Sequence, residues 1–228
     1  MSTLADNLSA ISARIASAAQ AVGRDPASVQ LLAVSKTKPA SAIREIHAAG
    51  VRDFGENYLQ EALTKQQALS DLPLIWHFIG PIQSNKTKAI AEHFDWVHSV
   101  DRLKIAQRLS EQRPAGLAPL NICLQVNVSG EDSKSGCTPA DLPALAKAVA
   151  ALPNLRLRGL MAIPEPTEDR ATQEAAFASL RKLQEGLGFG LDTLSMGMSH
   201  DLEAAIAQGA TWVRIGTALF GARDYGNT

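Results

Sequence analysis

The sequence predicts an α/β fold, a single (β/α)8 barrel (TIM barrel) preceded by one extra helix. Eight short apolar runs alternate along the chain with helical patterns, which is typical of parallel strands joined by right-handed helical crossovers. The 228 residues suffice for one such barrel and are too few for two average domains with a linker. An open doubly wound sheet is the alternative. The turn after the first strand reads SKTKP and lacks the glycine-rich phosphate loop typical of that fold.

The extra helix is predicted over residues 3–22. Its apolar residues recur every three or four positions, as on the buried face of an amphipathic helix: Leu4, Leu8, Ile11, Ile15, Ala18, Ala19 and Val22. Gly23 follows them and is a typical residue at a helix end.

Eight strand–helix units follow the extra helix. The predicted strands are 31–35, 51–55, 74–80, 94–100, 121–128, 155–162, 193–199 and 212–216. The predicted helices are 39–50, 56–69, 85–93, 101–112, 141–151, 169–185 and 201–208, and a short turn begins at Thr217. No internal repeat, low-complexity segment or Gly/Ser linker interrupts this order. We therefore expect residues 1–228 to form one domain.

Charge and composition argue against several classes of function. The chain carries 22 Lys+Arg and 23 Asp+Glu, a formal net charge of -1, so it lacks the basic surplus that nucleic acids and anionic membranes attract. No run of 18 apolar residues and no signal-peptide core occur, and Asp6 lies near the start of the chain, so we expect no export and no membrane span. With only Cys123 and Cys137 present, a disulfide framework is not expected, and a reducing cytoplasm fits best.

Lys36 is the first candidate for chemistry. In a barrel the active residues lie where strands end, and Lys36 directly follows the apolar strand LLAVS. Partial desolvation there favours a neutral amine, which can form a Schiff base. The alternative is an ordinary solvated lysine at a strand end.

The loops after the seventh and eighth strands are candidates for phosphate binding, because barrels commonly bind phosphate there. They read GMSHD and RIGTALFG. Gly197 and Gly216 permit close backbone approach, while Ser199 and Thr217 offer hydroxyl groups and backbone N–H groups at helix starts. The alternative is that these residues form only helix caps and tight turns.

A Schiff-base lysine opposite a phosphate site describes a bound pyridoxal phosphate. Seven segments, in order and essentially along the whole chain, closely resemble the pyridoxal phosphate homeostasis protein family: AVSKTKP, DFGENYLQE, WHFIGPIQSNK, QVNVSGEDSKSG, RGLMAIP, MGMSHD and VRIGTALFGAR. The resemblance implies a barrel like the N-terminal domain of alanine racemase, with the cofactor on Lys36. It also implies a phosphate held by Ser199, Gly216 and Thr217, and Arg214 near the pyridine nitrogen. Asn57, after the second strand, is expected to bind the same cofactor.

Three weaker signals are interpreted as structural. Ser199, His200 and Asp201 have the residue types of a catalytic triad, but sequential neighbours point in different directions. The GLGFG segment at 186–190 follows a helix, the reverse of the order a dinucleotide loop needs. The five histidines share no ligand spacing, so no metal is expected, and His77 and His98 are interpreted as hydrogen-bonded barrel residues.

A carrier fits these features better than an enzyme. Arg214 cannot give up its proton, so a pyridine nitrogen beside it is a weak electron sink. The chain also ends about ten residues after the last strand, without the second domain of the racemases it resembles. We expect a cytoplasmic, monomeric protein that takes part in intracellular pyridoxal phosphate homeostasis and releases the cofactor to apo-enzymes. The alternatives are a minimal amino-acid racemase or decarboxylase, or a Schiff-base aldolase acting on a sugar phosphate.

Lys134 is a candidate for cofactor transfer. It lies in GEDSKSG after the fifth strand, a stretch of small polar residues that is expected to be mobile at the barrel mouth. An amine there could exchange with Lys36 for the aldehyde. The alternative is a solvated loop lysine balanced by Glu131 and Asp132.

Overall fold

The computed structural model describes residues 3–132 and 134–222. Eight parallel strands close into a barrel in chain order, and the last pairs with the first. They are β1 (Gln30–Val34), β2 (Asp53–Glu56), β3 (Ile75–Phe78), β4 (Trp96–Val100), β5 (Leu120–Gln125), β6 (Leu155–Met161), β7 (Thr193–Ser195) and β8 (Trp212–Ile215). The predicted (β/α)8 barrel is confirmed.

The helices occur where the apolar periodicity predicts them. They are α1 (Leu4–Ala21), α2 (Ala40–Ala48), α3 (Leu59–Ala68), α4 (Thr87–His93), α5 (Leu103–Gln112), α6 (Leu142–Ala150), α7 (Arg170–Gly186), α8 (Leu202–Ala207) and α9 (Thr217–Phe220). Short 3-10 turns occur at Pro26–Ser28 and Ser84–Lys86. In the described ranges, no helix combines the length and the apolar character needed to cross a membrane.

The extra helix α1 begins with a capping box. The Asp6 N–H donates to Thr3 Oγ1 at 3.1 Å, and the Thr3 N–H donates to the Asp6 carboxylate at 3.0 Å. This pairing satisfies two of the N–H groups that a helix start leaves without partners. The apolar face of α1 buries Ile11, Ile15 and Ala19, which anchors the helix to the barrel through the hydrophobic effect.

The polar side of α1 supports the loop after β7. The Arg14 guanidinium forms a bidentate pair with the Glu203 carboxylate at 2.8 and 2.9 Å. The same group donates to the Ser199 carbonyl oxygen at 3.0 Å. Bidentate arginine pairs fix geometry as well as supply energy, so α1 helps to set the position of Ser199.

Aromatic rings fill the amino-terminal end of the barrel interior. The His77 ring stacks on Trp96 with centroids 5.4 Å apart, and the Trp212 ring meets Trp96 edge-on at 5.8 Å. The Arg158 guanidinium lies 4.5 Å from the centre of the Trp96 ring, a cation–π distance. With this end packed, a ligand site is left to the carboxyl end.

Seven of the eight strands are shorter than the sequence predicts, and β7 differs the most. The strand predicted at 193–199 ends at Ser195, and the strand predicted at 121–128 ends at Gln125. Near the first of these ends Gly197 has a φ of 97°, a left-handed conformation that turns the chain out of the strand. The residues beyond β7 therefore form a loop at the barrel mouth.

Candidate functional site

A cavity of about 290 Å³ opens at the carboxyl ends of the strands. Six residues singled out from the sequence line it: Lys36, Asn57, Ser199, Arg214, Gly216 and Thr217. They come from the ends of β1, β2, β7 and β8, which are far apart in sequence. Closure of the barrel brings them together.

Eight further lining residues were not predicted as part of the site: Val34, Thr37, Lys38, Ile79, Ile163, Met198, His200 and Gly221. Lys38 is the second lysine of SKTKP, and its Nζ donates to the Ala222 carbonyl oxygen at 2.7 Å. Lys38 could have been predicted from the sequence, because it lies two residues after Lys36.

The backbone around Lys36 is unusual. Lys36 is half-buried and follows the buried Ser35, and Thr37 has a φ of 64°. A β-branched residue in the left-handed region is an outlier, and such strain costs about 1–3 kcal/mol. The chain therefore turns sharply and at some cost immediately after Lys36.

Arg214 is a buried cation beneath the cavity. Its NH1 donates to Ser195 Oγ and its NH2 to the Ala162 carbonyl oxygen, both at 2.9 Å. Burial lowers the pKa of the Arg214 guanidinium to about 10. The group therefore stays charged at neutral pH, with neutral oxygens as its hydrogen-bond partners.

A continuous chain of hydrogen bonds runs from Arg214 through the barrel interior. Ser195 Oγ lies 2.7 Å from His98 Nδ1, His98 Nε2 lies 2.8 Å from His77 Nδ1, and His77 Nε2 lies 2.9 Å from Asp53 Oδ1. Both histidine side chains are fully buried. The interpretation of His77 and His98 as hydrogen-bonded barrel residues is confirmed.

The groups at the two ends of this hydrogen-bond network determine which ring nitrogen of each histidine carries the proton. The Asp53 carboxylate can only accept, so His77 donates from Nε2 and accepts at Nδ1. His98 then donates from Nε2 and accepts at Nδ1 from the Ser195 hydroxyl, whose oxygen faces the Arg214 donor. Burial lowers the pKa of both histidines, in agreement with two neutral rings.

The two glycines at the phosphate loops differ in their surroundings. A Cβ on Gly197 would lie 2.6 Å from the Cβ of Ala205, so packing alone requires glycine there. A Cβ on Gly216 would meet only Val34, at 3.5 Å or more. Because Gly216 lines the cavity, its missing side chain leaves open space inside the cavity.

The loop after β7 is bonded to β8, to α9 and to the residue that precedes α8. The Arg214 N–H donates to the Gly197 carbonyl oxygen at 2.8 Å, and the Ala218 N–H donates to Ser199 Oγ at 3.4 Å. The Met198 N–H donates to Asp201 Oδ1 at 2.6 Å. These contacts hold the hydroxyl-bearing loop in place at one side of the cavity.

Asn57 carries a buried acceptor without a partner. Its Oδ1 has no hydrogen bond among the described residues, and an unsatisfied buried polar atom costs about 1–3 kcal/mol. Gly80 makes this position possible, because a Cβ there would lie 2.4 Å from the Asn57 carbonyl oxygen. A ligand donor in the cavity would satisfy Asn57.

Lys134 is not among the residues that line the cavity. Its Nζ lies 3.6 Å from Glu131 Oε2. This contact corresponds to the alternative interpretation, a loop lysine balanced by a nearby acid. Transfer by Lys134 stays a prediction.

Neither a triad nor a metal cluster is found in the described part of the chain. His200 Nε2 lies 3.4 Å from Asp201 Oδ2, while the Ser199 hydroxyl contacts the Ala218 N–H. Within 3–132 and 134–222, no three His, Cys, Asp or Glu side chains are grouped to hold a metal ion.

Comparison with known proteins gives one family and several named relatives. Residues 7–224 match the family described as "Alanine racemase, N-terminal domain". The chain is 80% identical over 226 residues to the "Pyridoxal phosphate homeostasis protein" of Pseudomonas aeruginosa, covering 99% of this chain and 98% of that protein. It is 55% identical over 235 residues to the protein of the same name from Escherichia coli K12, covering 99% of each.

A solved structure shares the fold along its whole length. PipY of Synechococcus elongatus PCC7942, determined with PLP bound, superposes with a TM-score of 0.85 and 43% sequence identity. The match covers 96% of this chain and 100% of PipY.

Proposed function

This chain belongs to the alanine racemase N-terminal domain family, among the pyridoxal phosphate homeostasis proteins, and we propose that it binds pyridoxal phosphate and takes part in intracellular homeostasis of that cofactor. The names of its relatives and the PLP-bound structure of PipY support the proposal. The observation that carries it is the cavity itself, where residues from four strand ends meet.

Each part of the cofactor has a matching group in the cavity. When bound, pyridoxal phosphate supplies an aldehyde that condenses with a lysine amine, a C=N bond replacing the C=O bond as one water leaves. We assign the aldehyde to Lys36, the phosphate to Ser199, Gly216 and Thr217, and the pyridine nitrogen to Arg214. Asn57 Oδ1 would accept a hydrogen bond from the ligand.

Three features of the cavity fit this ligand. The space beside the Gly216 backbone is open to a bulky ligand group. Asn57 Oδ1 is a buried acceptor without a hydrogen-bond donor among the described residues. Arg214 supplies a fixed N–H donor, and its neighbours Ser195 and Ala162 hold its orientation. The lining thus offers a different group to each polar part of the ligand.

The same geometry supports storage and release rather than turnover. Arg214 keeps its proton at neutral pH, so a ring nitrogen facing it would stay unprotonated and would be a weaker electron sink than racemases and decarboxylases need. We therefore propose a carrier that passes the cofactor to apo-enzymes. We propose that it works as a monomer in the cytoplasm, a reducing compartment that would keep the free thiols of Cys123 and Cys137 reduced.

Titration with pyridoxal phosphate tests the proposal. The wild type should develop the visible absorbance of a protein-bound Schiff base. Lys36→Ala should not, and the control variant Lys88→Ala, at an exposed lysine of α4 outside the cavity lining, should retain it. A wild type that stays colourless would favour the aldolase alternative. Racemisation or decarboxylation of amino acids at about 1 per second or faster would favour an enzyme.

A further inference from the structure

Lys65 is a buried lysine outside the cavity lining. Only 6% of its surface is exposed. Its Nζ lies 2.7 Å from the Ser35 carbonyl oxygen, 2.7 Å from Glu56 Oε1 and 2.6 Å from Glu61 Oε1. These three acceptors use all three donors of the ammonium group.

The same side chains hold the backbone on both sides of Lys36. Before it, Ser35 Oγ donates to Glu56 Oε1 at 2.7 Å while the Ser35 carbonyl oxygen accepts from Lys65. After it, the Thr37 N–H donates to Glu61 Oε1 at 2.5 Å. Lys36 thus sits between two residues that are fixed by charged groups of β2 and α3.

The bond to Glu61 falls on the strained residue. Thr37 has a φ of 64°, a conformation that a β-branched residue avoids and that persists only where its surroundings impose it. A hydrogen bond from a backbone N–H to a carboxylate is among the stronger kinds. Glu61 therefore offsets the cost of the turn that follows Lys36.

A role in stability alone explains this network poorly. Removing the Glu56 carboxylate and the Lys65 ammonium group from water costs as much as their attraction returns in many proteins. Desolvation raises the pKa of the Glu56 carboxyl, which shows that its burial is unfavourable. What the network does fix is the conformation of three consecutive residues, Ser35 to Thr37.

We propose that Glu61 and Lys65 are positioning residues for Lys36, holding the 35–37 turn so that the lysine amine meets an aldehyde bound in the cavity. This inference rests on the proposed function. The two residues act through the backbone, since their contacts are with Ser35, Glu56 and Thr37.

Two ligands separate this role from a general effect on the fold. Pyridoxal phosphate has the aldehyde, whereas pyridoxine phosphate has an alcohol in its place and cannot form a C=N bond. Glu61→Ala should slow formation of the covalent adduct about tenfold or more while its Kd for pyridoxine phosphate stays within about twofold of wild type. Glu111→Ala, an exposed glutamate on α5, is the matched control and should change neither value.

A glycine at position 37 provides the rescue. Glycine adopts positive φ at little cost, so Thr37→Gly should restore most of the adduct rate to Glu61→Ala. A variant with a merely structural defect would not recover in this way. If Glu61→Ala does not fold, Glu61→Gln, which keeps an acceptor but loses the charge, replaces it in the same comparison.

Three results would overturn the inference. Glu61→Ala forming the adduct at the wild-type rate would do so, and so would an equal loss of affinity for both ligands. Failure of Thr37→Gly to restore the rate would remove the role assigned to the strained turn. A wild type that binds neither ligand would instead refute the proposed function.

Discussion

Ser199 and Thr217 show how much one hydroxyl group is expected to contribute at this site. Both line the cavity, and the Ser199 hydroxyl accepts a hydrogen bond from the Ala218 N–H of α9. A hydrogen bond to a charged group contributes about 1.5–3 kcal/mol. Each residue is therefore a separate test of where the phosphate binds.

Ser199→Ala and Thr217→Val should each weaken pyridoxal phosphate binding about tenfold to a hundredfold. Equilibrium titration by absorbance or fluorescence measures the change, and the thermal unfolding midpoints of the free proteins serve as the control for folding. Unchanged affinity in both variants would place the phosphate elsewhere.

Single residues also show what the sequence could and could not reveal. Six of the cavity residues were predicted because they lie at, or just beyond, the carboxyl ends of apolar strands, and the family resemblance supplied their roles. Lys65 and Asp53 were not, because their roles depend on contacts between strands and helices that no local pattern contains. Thr37 gave no signal either, since nothing in SKTKP indicates a positive φ at a threonine.

Among the elements, the loops that leave β7 and β8 use glycine for different reasons. Gly197 combines a φ of 97° with contact to α8, whereas Gly216 has a φ of -112° and only ordinary contacts. The sequence predicted the same role for both glycines. The structure shows a packing requirement at Gly197 and none at Gly216, where a role in ligand binding stays a prediction.

Gly197→Ala should lower the free energy of unfolding by about 1–3 kcal/mol, because a Cβ is strained there and overlaps Ala205. Gly216→Ala should leave stability nearly unchanged and weaken pyridoxal phosphate binding. Urea unfolding and ligand titration of both variants measure the two effects. A Gly216→Ala protein with wild-type affinity would show that the ligand does not approach this backbone.

The strand boundaries were predicted less well than the existence of the strands. Apolar runs continue past the hydrogen-bonded ladder at β5 and β7 because residues beyond each strand, such as Met196 and Val126, are still buried. Burial without strand pairing has the same sequence pattern as a strand. Only the backbone geometry at Gly197 shows where β7 gives way to the loop.

Across the whole molecule, the polar chain from Asp53 to Arg214 links the amino end of the barrel to the cavity. Its two histidines are buried and neutral, and burial lowers their pKa below the ordinary value of 6.5. Below pH 6.5 the unfolded chain therefore binds protons that the folded protein does not. Stability contributed by these residues is present above that pH and is lost as the pH falls.

The free energy of unfolding should accordingly fall on acidification below pH 6.5, by at most about 1.4 kcal/mol per pH unit for each buried histidine. His98→Asn should show a shallower slope over about pH 6.5 to 5.5. The raised pKa of Glu56 increases the free energy of unfolding as the pH falls, but this contribution is the same in the wild type and in His98→Asn. Equal slopes in urea titrations across this range would contradict neutral, buried histidines.

The central claim is that the barrel presents one lysine, Lys36, to the aldehyde of pyridoxal phosphate. Borohydride reduction of the loaded wild-type protein, followed by digestion and mass spectrometry of the peptides, tests this claim most directly. We predict that the reduced adduct is found on Lys36, near one per chain. A reduced adduct at comparable occupancy on another lysine, such as Lys38 or Lys134, with Lys36 unmodified, would contradict it.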